Sequence, residues 1–156
     1  MLLTSSLFKE GQPIPPEHTG EGKDLSPDLM WSGAPSATKE YALICDDPDA
    51  PTPEPWIHWV IYKIPASMTK LPAGTPPKER LENSVLLQGK TSWPNRVGYG
   101  GPMPPPGHGW HRYFFKLYAL DCELKMNPSA TKNELLTAMK GHILAETTLM
   151  GKYKRG

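Results

Sequence analysis

Nineteen prolines and fourteen glycines are scattered along the chain and are not pooled in a tail. Proline fixes φ and lacks an amide donor, so it is kept out of helix interiors and central strands. Punctuation of this density disfavours a mostly helical fold and predicts short strands joined by long, shaped loops. A chain of 156 residues is one domain, 1–156, large enough to bury a core without metal or disulfide staples.

Between these breaks, apolar runs alternate with the period of a strand. Residues 2–8 read as a weak first strand, and Leu29-Met30-Trp31 as a short second one. Tyr41–Cys45 is a core strand. In Trp56–Ile64 one face carries Trp56, His58, Val60, Tyr62 and Ile64, and the other carries Ile57, Trp59, Ile61 and Lys63. Both faces are largely apolar, which predicts a central position in the sheet. Residues 65–110 read as loop with a turn of helix near Lys78–Asn83, and His111–Leu120 is the second strong strand. Thr131 and Glu134 have the spacing of a capping box. Leu135, Leu136, Met139, Ile143, Leu144, Thr147 and Met150 follow at helical intervals, predicting one helix over 131–150 closed by Gly151. The fold class is mainly β, an antiparallel β-sandwich with Greek-key elements, long Pro/Gly-rich loops and a C-terminal helix.

Chemistry concentrates at two strand mouths. Asp46-Asp47-Pro48-Asp49-Ala50-Pro51 directly follows the Tyr41–Cys45 strand, and His58 stands near the start of the next. His111 repeats that placement at the entrance of a later strand. Asp47, Asp49, His58 and His111 suit three chemistries. The carboxylates could hold the imidazoles protonated, so that the pocket presents N–H donors to an anion, helped by backbone amides of Gly98–Gly101. Two imidazoles and a carboxylate could bind a divalent metal, although sequence spacing alone shows no coordination geometry. A His backed by an Asp could act as general base. No nucleophile elbow, HExxH pair or P-loop accompanies them, so a binding or regulatory protein is expected over an enzyme, with no catalytic residue, metal or cofactor. Taken singly, each aspartate also suits a turn beside proline, and His58 a satisfied core position. Cys45, His18, His108 and His142 read as structural, with His108 a candidate for the pocket border; the tryptophans read as core or loop anchors.

The charge balance of 17 basic against 16 acidic residues gives no electrostatic reason to expect nucleic acid or an anionic membrane as partner. Cys45 and Cys122 have no metal-ligand spacing and read as free thiols in a reducing compartment. The N-terminus lacks a basic n-region, and its apolar run is too short for a signal peptide or membrane span. A cytoplasmic location is the expectation.

Tyr41-Ala-Leu-Ile-Cys-Asp-Asp-Pro-Asp-Ala-Pro51, His58, Gly100-Gly101-Pro102 and Gly109-Trp-His-Arg-Tyr113 together resemble the phosphatidylethanolamine-binding protein family, also called the Raf kinase inhibitor protein family. The resemblance runs from Ser26-Pro27 and Trp31-Ser32-Gly33-Ala34-Pro35 to Gly141–Glu146, and the short loops are similar to its bacterial and archaeal branch. It implies two antiparallel sheets and a pocket for phosphate-like anions, including phosphoryl head groups. By motif, that pocket comprises Asp47, Asp49, His58, Gly101, Pro102, His111 and Tyr113, with Pro51 and Trp56 lining it. The chain departs from the pattern at Gly20-Glu21-Gly22 and Met103, where bacterial members often carry cysteine, and at Asp28, which replaces a usual proline. The leading expectation is capture of a phosphorylated small molecule, head group or phospho-residue. The alternative is inhibition of a protein kinase, protease or other enzyme by contact at the pocket rim, and a slow hydrolase ranks below both. A homodimer through the terminal helix or an exposed sheet face stays open.

Overall fold

A computed structural model describes residues 1–156, and three of its four longest strands fall on the apolar runs singled out in the sequence. In chain order the elements are β1 (Leu2–Thr4), β2 (Leu29–Ser32), β3 (Glu40–Asp47), β4 (Trp56–Pro65), β5 (Lys70–Leu71), β6 (Leu87–Gln88), β7 (His111–Leu120), α1 (Lys132–Met139) and β8 (Ile143–Tyr153), with a 3-10 turn at Pro16–His18. They build a three-stranded sheet, β1-β2-β5, and a five-stranded sheet, β6-β4-β3-β7-β8. Every strand pairing is antiparallel. In the larger sheet β7 returns to lie beside β3 after the β3-β4-β6 run, which is the Greek-key order.

β3 is buried at every position and divides the two apolar clusters. Leu43 and Cys45 face the sandwich interior with Leu3, Leu29, Trp31, Trp59, Ile61, Phe115 and Leu117. Ala42 and Ile44 face the other way, against Val60, Tyr62, Leu124, Leu135 and Met139. A sheet covered on both faces needs apolar residues at consecutive positions, which is why β3 and β4 read as continuous runs.

Three expectations change. β1 ends at Thr4 because Ser5 and Ser6 leave the ladder to donate to the Asp28 carboxylate, at 2.7 Å and 2.6 Å through their hydroxyls. Asp28 therefore pins two loops together. Residues near Lys78–Asn83 form no helical turn; Arg80 bridges Leu87 across a hairpin. The helix expected over 131–150 stops at Met139, although Thr131 does cap it with a full capping box to Glu134. Gly141 turns the chain at φ 84°, and Ile143–Tyr153 runs back as β8, paired along the length of β7. Gly151, expected to close a helix, lies mid-strand where a Cβ would meet Ile14 Cγ1 at 2.6 Å and Phe8 Cε2 at 2.7 Å.

Candidate functional site

At one end of the larger sheet the starts of β4 and β7 meet the end of β3, and the two strand mouths singled out in the sequence become one wall. They border a cavity of about 230 Å3 lined by Asp47, Pro51, Trp56, His58, His111 and Tyr113, with Ala50, Thr52, Trp93, Met103, Pro104 and Pro105 completing it. A larger cavity of about 390 Å3, between Met68 and Leu86, contains none of these residues.

His58 reaches the cavity through a β-bulge. Cys45 pairs with Trp59 and Asp46 with Ile57, so His58 is the extra residue of β4. The bulge breaks simple alternation: His58 packs against Tyr113 and not on the Val60–Tyr62 face where the period-two pattern put it. Its ring stands edge-on between Trp93 and Tyr113, with centroids at 5.1 Å and 5.0 Å. Its Nδ1 lies 2.6 Å from the Gly100 carbonyl, while the Gly100 amide donates to the His58 carbonyl at 2.8 Å. A carbonyl only accepts, so Nδ1 carries the proton and Nε2 is left as the acceptor. Burial drives the His58 pKa from 6.5 down to about 4, with the Gly100 bond and Asp47 opposing. His58 is thus a neutral imidazole, and the expected imidazolium donor does not exist at this position before a ligand arrives.

Asp47 and His111 form a buried pair. His111 Nδ1 donates to Asp47 Oδ2 at 2.7 Å, and Asp47 Oδ1 accepts the Asp49 amide at 2.7 Å. The far edge of His111, Nε2, lies 2.6 Å from Nδ1 of exposed His108. Tyr113 is buried in the cavity wall, and burial followed by Asp47 raises its phenol well above the ordinary range, so it remains an O–H donor. Trp56 adds an indole N–H that is buried and has no hydrogen-bond partner.

Other expected site residues stand behind the wall or outside it. Asp49 turns outward: its carboxylate clamps Arg112 through Nε, Nη2 and the backbone amide, each at 2.9 Å, and these bonds hold its pKa below the usual range. Gly101 and Pro102 are buried behind the cavity, where the Gly101 amide donates to Asp24 Oδ1 at 2.7 Å and the Pro102 carbonyl accepts from Gly20. With the Gly100 amide serving His58, neither the Gly100 nor the Gly101 amide is free to join the anion nest expected of this loop. Asp24 in turn is paired with Arg96 at 2.5 Å.

Sequence reasoning did not place Trp93 and Arg155 at the site, and offered His108 only as a candidate for its border. Trp93 sits in a long loop with no local signal. His108 precedes His111 by three residues across Gly109, whose φ of 89° folds the loop back. Arg155 ties the C-terminus to the rim by donating to the Pro104 carbonyl at 2.6 Å.

Residues 4–154 match the family profile described as phosphatidylethanolamine-binding protein. A UPF0098 protein of Methanothermobacter thermautotrophicus is 46% identical over 156 residues, covering 100% of both chains. One from Aquifex aeolicus is 45% identical, covering 99% of this chain and 89% of its own. Among solved structures, a proposed phosphatidylethanolamine-binding protein homolog from Chlamydia trachomatis superposes with a TM-score of 0.89 at 36% identity, covering 99% of this chain and 97% of its own. Escherichia coli YbcL does so with a TM-score of 0.89 at 31% identity, covering 99% and 98%.

Proposed function

Because the chain belongs to the phosphatidylethanolamine-binding protein family, we propose that its strand-mouth cavity captures a phosphorylated or otherwise anionic ligand. One observation carries this reading: uncommitted polar edges converge in a small cavity that is otherwise aromatic, aliphatic and proline-lined. His58 Nε2 and the Tyr113 hydroxyl border the cavity and are engaged by no other residue. The Asp47 carboxylate is already engaged by donors, His111 Nδ1 at one oxygen and the Asp49 amide at the other. His108, being exposed, is the side chain that an anion displaces from His111 Nε2.

The reading specifies a protonation change. Burial denies His58 its positive charge, and an anion at Nε2 restores the partner that makes the imidazolium favourable. Binding therefore takes up a proton, and affinity rises as pH falls toward about 4, the pKa of the buried ring without ligand. The direct measurement is titration with inorganic phosphate and phosphoethanolamine, followed by NMR at the His58 and His111 rings. Saturable shifts at both rings are expected, and Tyr113→Phe should weaken binding by about ten- to hundredfold, the worth of one hydrogen bond to a charged group. Rings that stay silent to every phosphate compound at millimolar concentration would refute the reading.

A second reading, contact of the pocket rim with a partner protein, draws on Trp110. It is exposed next to His111, with Lys152 Nζ and Lys154 Nζ at 4.5 Å and 4.9 Å from its ring. Aromatic and cationic groups together on a rim suit an acidic protein surface. Partner capture that survives Tyr113→Phe but not Trp110→Ala would favour the rim over the cavity.

A further inference from the structure

At the end of β7 opposite the cavity, the chain gathers three donor groups of different chemistry. Asp121 and Cys122 follow the last residue of β7, and His142 immediately precedes β8. The backbone fixes this meeting. Leu120 pairs with Ile143, the Asp121 amide donates to the His142 carbonyl at 2.9 Å, and the His142 amide donates to Met139 at 2.9 Å. His142 Nδ1 donates to Asp121 Oδ1 at 2.8 Å. One carboxylate oxygen, the Cys122 Sγ and one His142 ring nitrogen all lie within 4.8 Å of one another. Cys122 is a free thiol, half-buried, while Asp121 and His142 are exposed at 41% and 46% of their side chains. The adjacent Glu40 is already committed, to the Leu124 amide at 2.8 Å and to Lys63 at 3.1 Å.

We propose that Asp121, Cys122 and His142 form a three-ligand site for a zinc-type divalent cation, with the fourth position open to water. The donor set selects the metal class. A thiolate and an imidazole suit zinc and its first-row neighbours, whereas calcium and magnesium take oxygen ligands. Zinc bond lengths at tetrahedral angles set donor atoms about 3.3 to 3.6 Å apart. The 2.8 Å Asp121–His142 contact must open slightly and the longer separations, up to 4.8 Å, must close by about 1 Å. Exposed side chains on a fixed backbone accommodate such changes by rotamer adjustment. On binding, His142 Nδ1 gives up its proton to solvent and the neutral ring carries its proton on Nε2, Asp121 turns its oxygen from that hydrogen bond to the cation, and the Cys122 thiol proton leaves to solvent. No linear motif announces the site, because Cys122 and His142 are brought together only by the β7–β8 pairing.

Cobalt(II) titration of the reduced full chain tests this, since cobalt occupies zinc sites and reports its ligands by absorption. Expected are visible d–d bands of tetrahedral intensity and a near-ultraviolet thiolate-to-cobalt charge-transfer band. Both should saturate at one equivalent and be displaced by zinc. Cys122→Ser should remove the charge-transfer band, and His142→Ala should lower cobalt affinity by more than about tenfold. Cys45, the only other thiol, is fully buried and serves as the internal control. Absence of the charge-transfer band from the wild-type chain, or its persistence in Cys122→Ser, overturns the proposal.

Discussion

His58 shows how one inserted residue sets the chemistry of the site. The bulge aims its ring between Trp93 and Tyr113, and the Gly100 carbonyl fixes the tautomer. The same burial makes His58 a stability sensor. Its folded pKa is about 4, against 6.5 for the free group, so between these values the unfolded chain binds a proton that the native ring does not. Stability is complete above pH 6.5 and falls as pH drops toward 4, by about 3 kcal/mol at this site. His58→Asn keeps an N–H for Gly100 and removes the titration. In urea melts at pH 7.5 and 4.5 the wild type should lose more stability than this variant; equal losses would mean that the ring is not held neutral. The contrast with Asp49 marks the limit of reading residues from sequence. Asp47 and Asp49 lie two apart on the same motif, yet one pairs with buried His111 and the other with Arg112 outside the cavity. Which way a carboxylate turns depends on a cation more than sixty residues away in the chain, which local spacing does not encode.

Among the elements, β3 and β4 were legible because burial on both faces writes long apolar runs, and β7 because its buried residues recur at strand period. The segment after Met139 was not. Its apolar residues at 143, 144, 147 and 150 fit a helical period, but Leu149, Gly151 and Tyr153 are the ones buried, at strand period. The deciding force is tertiary: without β8, the β7 edge would leave a row of unpaired backbone groups. Gly141 gives a test whose sign separates the two readings. In a helix interior Gly→Ala would stabilise by about 1 kcal/mol. Here Gly141 has φ 84° and a Cβ would touch nothing, so backbone strain alone decides. Gly141→Ala should destabilise by about 1 kcal/mol, measured by chemical denaturation, since L-residues resist the left-handed region. Stabilisation would contradict the turn.

Over the whole molecule, the five-stranded sheet is the shared wall of two cores, one between the sheets and one under α1. β3 contributes alternate side chains to both, so neither core can loosen without disturbing the strand that the other packs on. That connectivity predicts one cooperative unit, as expected for a domain of this size. The tryptophans make it testable, because none of the five belongs to the helix-side cluster. Leu135 is fully buried there, in α1. Leu135→Ala leaves a cavity worth about 2 to 5 kcal/mol. If the sheet couples the cores, tryptophan fluorescence and far-ultraviolet circular dichroism should shift together, with a lower denaturation midpoint and an unchanged slope. A fluorescence transition left at the wild-type midpoint while the circular dichroism moves would show that α1 and its cover unfold separately. In that event changes under the helix would not reach the cavity. With a single transition, the cavity that holds Asp47, His58 and His111 depends on the side of the sheet it does not face, because β3, β4 and β7 carry all three residues.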